Sequence, residues 1–192
     1  MDFGIIENCL KEVDLTIIKT DIKDSSKLLN GAVFILKEGE KEIGYVYTGS
    51  IFIQHYDYTA DMITDEEGNE IEVRTYNEKT YQISLNEDFS DSFEVTSDEN
   101  GEVLLVLGKE LQQEGSYYVT DGETVCTYEL TDGKAIIHNI KATHTYSVTE
   151  IYAPDKYILD QNSYEIVIDY SNDVLLEIRL KNVKQYVLSL GF

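Results

Sequence analysis

Apolar and polar residues alternate in short runs through most of this 192-residue chain, and the spacing of an amphipathic helix is scarce. Side chains on a strand point alternately to its two faces, so residues two apart share one face. The pattern predicts strands within 15–21, 29–36, 131–140, 146–154 and 176–182. Further strands or hairpins are predicted at 45–54, 70–75, 80–85, 102–107 and 116–130, punctuated by turns at Glu67-Gly68-Asn69 and Glu99-Asn100-Gly101. Residues 109–113 form one short helical candidate, too brief to stand alone.

The same alternation carries polar residues into apolar rows. Leu15, Ile17 and Lys19 share one face, as do Tyr146, Val148 and Glu150, and again Leu176, Ile178, Leu180 and Asn182. If these rows face a core, all three polar residues point inward. A buried Lys or Glu without a partner must pair, shift its pKa or react. Desolvation favours an uncharged Lys19, which is a nucleophile, and a protonated Glu150, which can polarise a carboxamide such as that of Asn182. The plainer readings are a Lys19 that snorkels to water, a solvated Glu150 and a turn Asn182.

Composition agrees with an all-β protein. The chain has 15 Tyr and no Trp, is 42% hydrophobic, and is long enough to bury the core of one or two domains. Its formal charge of -22 excludes nucleic acid and anionic membrane surfaces as partners, because both would repel it. The longest apolar run, 103–107, is far short of a membrane-spanning helix, so no membrane insertion is expected.

The segments at 15–21 and 29–36, with Thr131-Asp132-Gly133 and Tyr146-Ser-Val-Thr-Glu150-Ile-Tyr-Ala-Pro154, together resemble the Cna B-type domain family, also described as SpaA-type pilin modules of Gram-positive cell surfaces. The family order is a strand with Lys, then Leu-x-Gly-Ala-x-Phe-x-Leu, then Thr-x-Asp-Gly, then Tyr-x-x-x-Glu-x-x-Ala-Pro. The resemblance implies an all-β, transthyretin-like (Ig-like) β-sandwich with a large inserted β-hairpin region. It also implies a spontaneous isopeptide bond from Lys19 to Asn182, assisted by Glu150. Asn172 or Asp173, at the head of the same strand, are the alternatives to Asn182. One domain is expected over 1–192, with its core from 14–37 and 126–184 and a folded insert or subdomain at about 38–125. Lys156 stands where the family usually has Gly. The expected setting is extracellular and cell-wall associated, as an internal fragment of a longer secreted protein, since Met1-Asp2-Phe3-Gly4 lacks the features of a secretory signal.

Other chemistry is weakly signalled. The acids Asp61, Asp65, Glu66, Glu67 and Glu70, and the Asp98-Glu-Asn100-Gly101 turn, miss the spacing of a calcium loop and read as solvated turns. His55, His138 and His144 are too scattered for a zinc site, although His138 and His144 could face each other across a hairpin. Cys9 and Cys126 make no framework, and a disulfide between them is not expected. No cofactor and no metal is called for, and no catalytic motif points to an enzyme. The leading function is a stalk or pilin-like module whose partners are neighbouring domains of the same surface protein. The alternative is an adhesin module whose insert binds a host or matrix ligand, with Tyr45, Tyr47, Tyr56 and Tyr58 as contact area. Those tyrosines read more simply as sheet packing.

Overall fold

The structure, a computed structural model, describes residues 12–141, 144–167 and 176–185. Among these residues there are strands and no helix. In chain order the first eight are β1 (Glu12–Asp21), β2 (Val33–Glu38), β3 (Lys41–Tyr47), β4 (Ser50–Gln54), β5 (Tyr58–Thr64), β6 (Glu70–Tyr76), β7 (Thr80–Ser84) and β8 (Ser92–Thr96). The remainder are β9 (Glu102–Val106), β10 (Gly115–Thr120), β11 (Val125–Leu130), β12 (Lys134–Lys141), β13 (Thr145–Tyr152), β14 (Ser163–Val167) and β15 (Leu176–Asn182). The chain divides into two compact units. One comprises the described residues up to Thr48 and from Gly133 onward, and the other is Gly49–Asp132.

The first unit is a sandwich. One sheet has the order β12-β1-β15 and the other β14-β13-β2-β3. Their facing rows make one core, with Leu15, Ile17, Ala135 and Leu180 from the first sheet and Phe34, Leu36, Val148 and Ile166 among those from the second. The inward rows are those of the alternation pattern, continued by Lys19 in β1, Glu150 in β13 and Asn182 in β15, all buried. The first and last strands lie side by side and parallel, with Lys19 opposite Leu180 and Asp21 opposite Asn182. Lys19 and Asn182 are therefore diagonal neighbours on one face, a spacing that a long side chain can bridge.

The segment 29–32 fastens both places where the chain leaves and re-enters this unit. At the exit, the Gly31 N–H donates to the Thr48 carbonyl at 2.8 Å, the Thr48 N–H to Ala32 at 3.0 Å, and the Thr48 hydroxyl to the Leu29 carbonyl at 3.0 Å. At the return, the Gly133 N–H donates to Asn30 Oδ1 at 2.6 Å. Gly133 then accepts from the Lys19 N–H at 2.9 Å, while the Lys19 carbonyl accepts from Leu29 at 3.0 Å. Gly133 has φ 59, and a Cβ there would lie 2.5 Å from Leu28 Cβ and 3.0 Å from the Leu29 nitrogen. Only glycine fits so close to backbone in that conformation.

In the second unit a sheet of order β11-β10-β7-β8 and the pair β4-β9 share a core that includes Ile51, Ile83, Leu105, Tyr117 and Val119. Among the described residues β5 and β6 pair only with each other, as a two-stranded ribbon. The boundaries differ from the expected insert of 38–125. β3 belongs to the first unit, pairing with β2 and burying Val46, whereas β11 pairs with β10 in the second. The run 45–54 is two strands because the chain turns at Thr48-Gly49, where Gly49 has φ 50. Residues 109–113 form a turn rather than a helix: Leu111 is buried and its carbonyl accepts from the Gly108 N–H at 2.7 Å. Cys126 is an exposed free thiol, and Cys9 lies outside the described residues.

An ion pair ties β7 to β10 at one end of the sheet. Lys79 Nζ is 2.7 Å from Asp121 Oδ2, and Asp121 Oδ1 accepts the N–H groups of Glu123 at 3.1 Å and Thr124 at 2.9 Å. The hydrogen bond from Lys79 and then those two N–H groups hold the Asp121 carboxyl far below its ordinary value.

Gly133→Ala should destabilise the first unit by about 2–4 kcal/mol, because the turn must open or Leu28 must move. Denaturant titration will read this, and an unchanged midpoint would show that the turn relaxes freely. A carboxyl depressed in the folded state contributes stability that is complete above its unfolded pKa and is lost as pH falls through the folded value. The second unit should therefore lose stability below about pH 4, and Asp121→Asn should flatten that acid limb in thermal melts recorded across pH.

Candidate functional site

β1, β13 and β15 each bring one polar side chain to the same point in the core. Lys19 Nζ stands 2.9 Å from Glu150 Oε1, close enough for an ion pair though not aligned as a hydrogen bond. Asn182 Nδ2 donates to Glu150 Oε1 at 3.1 Å and to Oε2 at 2.9 Å. One carboxylate thus touches both the amine and the carboxamide. Lys19 is the largest of the fully inaccessible side chains, at 0% exposure, with Asn182 at 1% and Glu150 at 3%.

The surroundings fix each group. Glu150 sits opposite Phe34 on β2, and the register shifts between Glu150 and Tyr152, a bulge that ends the regular alternation beside the site. The Phe34 ring lies under Lys19, its centroid 5.1 Å from Nζ. The loop before β14 supplies two main-chain groups. The Ile158 carbonyl accepts from Asn182 Nδ2 at 3.1 Å, and the Asp160 N–H donates to Glu150 Oε2 at 2.8 Å. With its two protons placed by Glu150 and Ile158, the carboxamide leaves Oδ1 buried and without a hydrogen bond. Such orphaned acceptors are uncommon in folded proteins and mark a place where chemistry or strain is concentrated.

Charge is unwelcome here. Burial pushes the Lys19 ammonium below its ordinary pKa, while the nearby charge of Glu150, and then that of Asp160, pull it back. Burial alone would raise Asp160, yet hydrogen bonds from the Tyr164 hydroxyl and from Asn162, with the Lys19 charge, hold it below the usual carboxylate range. The arrangement is a buried amine whose charged form desolvation disfavours, a carboxylate at contact distance, and a carboxamide whose nitrogen is held by the same carboxylate.

Lys19, Glu150 and Asn182 are therefore brought together, while Asn172 and Asp173 lie outside the described residues. Asp160, the Ile158 carbonyl and Phe34 were not singled out in the sequence. The Ile158 carbonyl and the Asp160 N–H are main-chain groups, which leave no side-chain signal. Lys156 has φ 67, the left-handed conformation that glycine adopts freely, so the loop keeps a glycine's backbone shape at a steric cost. His138 and His144 do not meet: His138 lies 3.1 Å from Asp14, and His144 hydrogen-bonds Glu38. Asp65 and Asp98 cap their own turns, accepting N–H groups from Glu67 and Asn69, and from Asn100 and Glu102. Among the described residues no group of three His, Cys, Asp or Glu could hold a metal. Tyr45 and Tyr47 are half-buried on β3, Tyr58 packs on Tyr76 at 5.2 Å, and Tyr56 is exposed.

Residues 92–184 match the family model described as the SpaA prealbumin-like fold domain. Glu150 and Asn182 lie within the matched stretch, and Lys19 precedes it. No curated protein matches the sequence. Similar solved structures include the group B streptococcus pilus 2b backbone protein, 17% identical with TM-score 0.37, over 91% of this chain and 42% of that one. Another is the C-terminal domain of shaft pilin SpaA from Lactobacillus rhamnosus GG, 15% identical with TM-score 0.37, over 91% of this chain and 99% of that one. A third comprises domains D2 and D3 of the major pilin SpaD from Corynebacterium diphtheriae, 19% identical with TM-score 0.34, over 91% and 48%. The chain spans less than half the length of the first and third of these.

The buried triad should behave as a coupled unit. In an Asn182→Ala background, Lys19→Met should destabilise by about 3–5 kcal/mol because Glu150 is left buried without the cation 2.9 Å from it. Adding Glu150→Gln should recover most of that loss in a double-mutant cycle. Additive effects of the two substitutions would show that Lys19 and Glu150 do not interact.

Proposed function

As a chain whose residues 92–184 belong to the SpaA prealbumin-like domain family, this protein is, we propose, a structural stalk or pilin-like module of a Gram-positive cell-surface protein, stapled by an amide between Lys19 and Asn182. The observation that carries this reading is that Glu150, itself buried, touches both the Lys19 amine and the Asn182 carboxamide where burial disfavours the ammonium. The first unit is then the Cna B-type sandwich, and Gly49–Asp132 is an insertion into it. The module acts outside the cell, joined to neighbouring domains of the same surface protein, and it is not a turnover enzyme.

The chemistry follows from the contacts. Proton transfer from the Lys19 ammonium to Glu150 neutralises both groups and creates a nucleophile beside an acid. The amine attacks Asn182 Cγ, and Glu150 shares its proton with the developing oxyanion and the departing nitrogen. The new C–N bond forms as the C–Nδ2 bond breaks, and ammonia leaves. Of the five protons on the ammonium and the carboxamide nitrogen, one stays on the new amide, three leave as ammonia and one remains on Glu150. A neutral acid and a neutral amide replace a buried ion pair, which removes the charges that the core disfavours. A bond from residue 19 to residue 182 closes most of the chain, worth about 5 kcal/mol by loop entropy. It also lets tension pass between the first and last strands without loading the hydrogen-bonded core.

Adhesion through the second unit is the other reading, favoured by one observation: the β5–β6 ribbon pairs with no other strand among the described residues and exposes apolar side chains.

Intact mass of the folded protein tests the staple. The wild-type chain should weigh less than its sequence by one ammonia, and Glu150→Ala should restore the full mass while the sandwich stays folded. A folded wild-type protein of unshifted mass would refute the crosslink and leave Lys19 as a buried ion-pair partner.

A further inference from the structure

The ribbon of β5 and β6 is secured at both ends and open along its length. At its base the Asn77 N–H donates to the Asp57 carbonyl at 2.9 Å, Asn77 Nδ2 to Asp57 Oδ1 at 2.8 Å, and the Tyr76 ring stands edge-on to buried His55 at 5.8 Å. His55 is itself held, by Ser97 Oγ at 3.0 Å and by the Asp57 N–H at 3.2 Å. At its tip Asp65 accepts from Glu67, from the Asn69 main chain and from the Asn69 side chain.

Its two faces differ. With Tyr58 opposite Tyr76 and Ala60 opposite Arg74, one face is knit together: the two tyrosines pack at 5.2 Å, Arg74 lies 4.7 Å over Tyr58, and Arg74 bonds Glu72 at 2.6 Å. On the other face Ile63 is directly opposite Ile71 with Val73 two residues along, and they are 49%, 43% and 40% exposed. A two-stranded ribbon with water on both sides is marginally stable, and a third strand or a covered face changes that.

Charge selects the occupant. Asp61, Asp65, Glu66, Glu67, Glu70 and Glu72 lie on the ribbon against one cation, Arg74, which is already paired with Glu72. A second copy of this chain, at -22, is repelled, and so is an anionic lipid surface. A basic extended segment with alternate apolar residues matches all three features: main-chain groups for an open edge, apolar side chains for Ile63, Ile71 and Val73, and cations for the acids.

We propose that the β5–β6 ribbon is a docking edge for an extended basic polypeptide segment, which adds as a third strand and covers Ile63, Ile71 and Val73. This names the partner class for the adhesion reading and rests on it, and it is independent of the crosslink.

The probe is a fluorescent peptide that alternates lysine and valine, added to the whole chain and followed by anisotropy at low and physiological salt. Controls are an alternating glutamate–valine peptide and a lysine–valine peptide of the same composition in two blocks. The alternating basic peptide should bind and weaken with salt, the acidic peptide should not bind, and the block peptide should bind about tenfold less tightly. Ile71→Thr with Val73→Thr should weaken binding about tenfold. Should that variant unravel the ribbon, the charge-reversed chain with Glu66, Glu67, Glu70 and Glu72 all →Lys leaves the apolar face intact and should prefer the acidic alternating peptide. Equal binding of alternating and block peptides, unchanged binding after charge reversal, no binding at low salt, self-association in sedimentation, or capture by anionic vesicles would each overturn the proposal. A chain that binds matrix protein after the ribbon is deleted would overturn it too, yet leave the adhesion reading standing.

Discussion

Burial of Lys19 is the constraint around which the first unit is arranged. An ammonium with no exposed surface must find a counter-charge or lose its proton, and the carboxylate in contact with it is Glu150 at 2.9 Å. That carboxylate in turn stays in place because the Asp160 N–H and the Asn182 carboxamide satisfy its oxygens. Three strands distant in sequence are thereby fixed relative to one another by one contact. The parallel pairing of β1 with β15 makes the contact possible, because it sets Lys19 and Asn182 on one face two residues apart.

The ion pair in the second unit shows that burial, not pairing, sets the direction in which a lysine's pKa moves. Lys79 and Asp121 approach more closely, at 2.7 Å, but their side chains are 36% and 13% exposed and both pKa values move toward the charged forms. Lys79 is raised, first by its hydrogen bond to Asp121, and so remains an ammonium. Lys19 is lowered, first by desolvation, despite two carboxylates nearby. Water access decides between a salt bridge that lasts and an amine able to attack.

What could be read from the sequence was parity. Leu15-x-Ile17-x-Lys19 and Tyr146-x-Val148-x-Glu150 run along strands whose inward rows are buried as the alternation requires, because one face of each sheet must cover a core. Boundaries were less legible. The run 45–54 looks continuous, and nothing in its hydrophobicity says that Thr48-Gly49 turns it from one sheet to another. β5, β8 and β14 were not expected; the side chains of β5 and β8 are mostly exposed, so burial imposes little pattern on them. The site's loop escaped for a different reason. Ile158 and Asp160 contribute a carbonyl and an N–H that every residue except proline could supply, and Lys156 takes a glycine conformation that its side chain gives no reason to expect.

The same segment explains how a chain can leave the sandwich for more than eighty residues without loosening Lys19. Gly49–Asp132 is the excursion, and both crossing points are bonded to 29–32: Thr48 through Leu29, Gly31 and Ala32, and Gly133 through Asn30. Gly133 then carries the constraint to the Lys19 N–H, and Leu29 carries it to the Lys19 carbonyl. The Leu-Asn-Gly-Ala and Thr-Asp-Gly signatures are therefore two halves of one clamp on the lysine backbone. Because the clamp closes within the first unit, the length and content of the excursion can vary while the amine keeps its place beside Glu150.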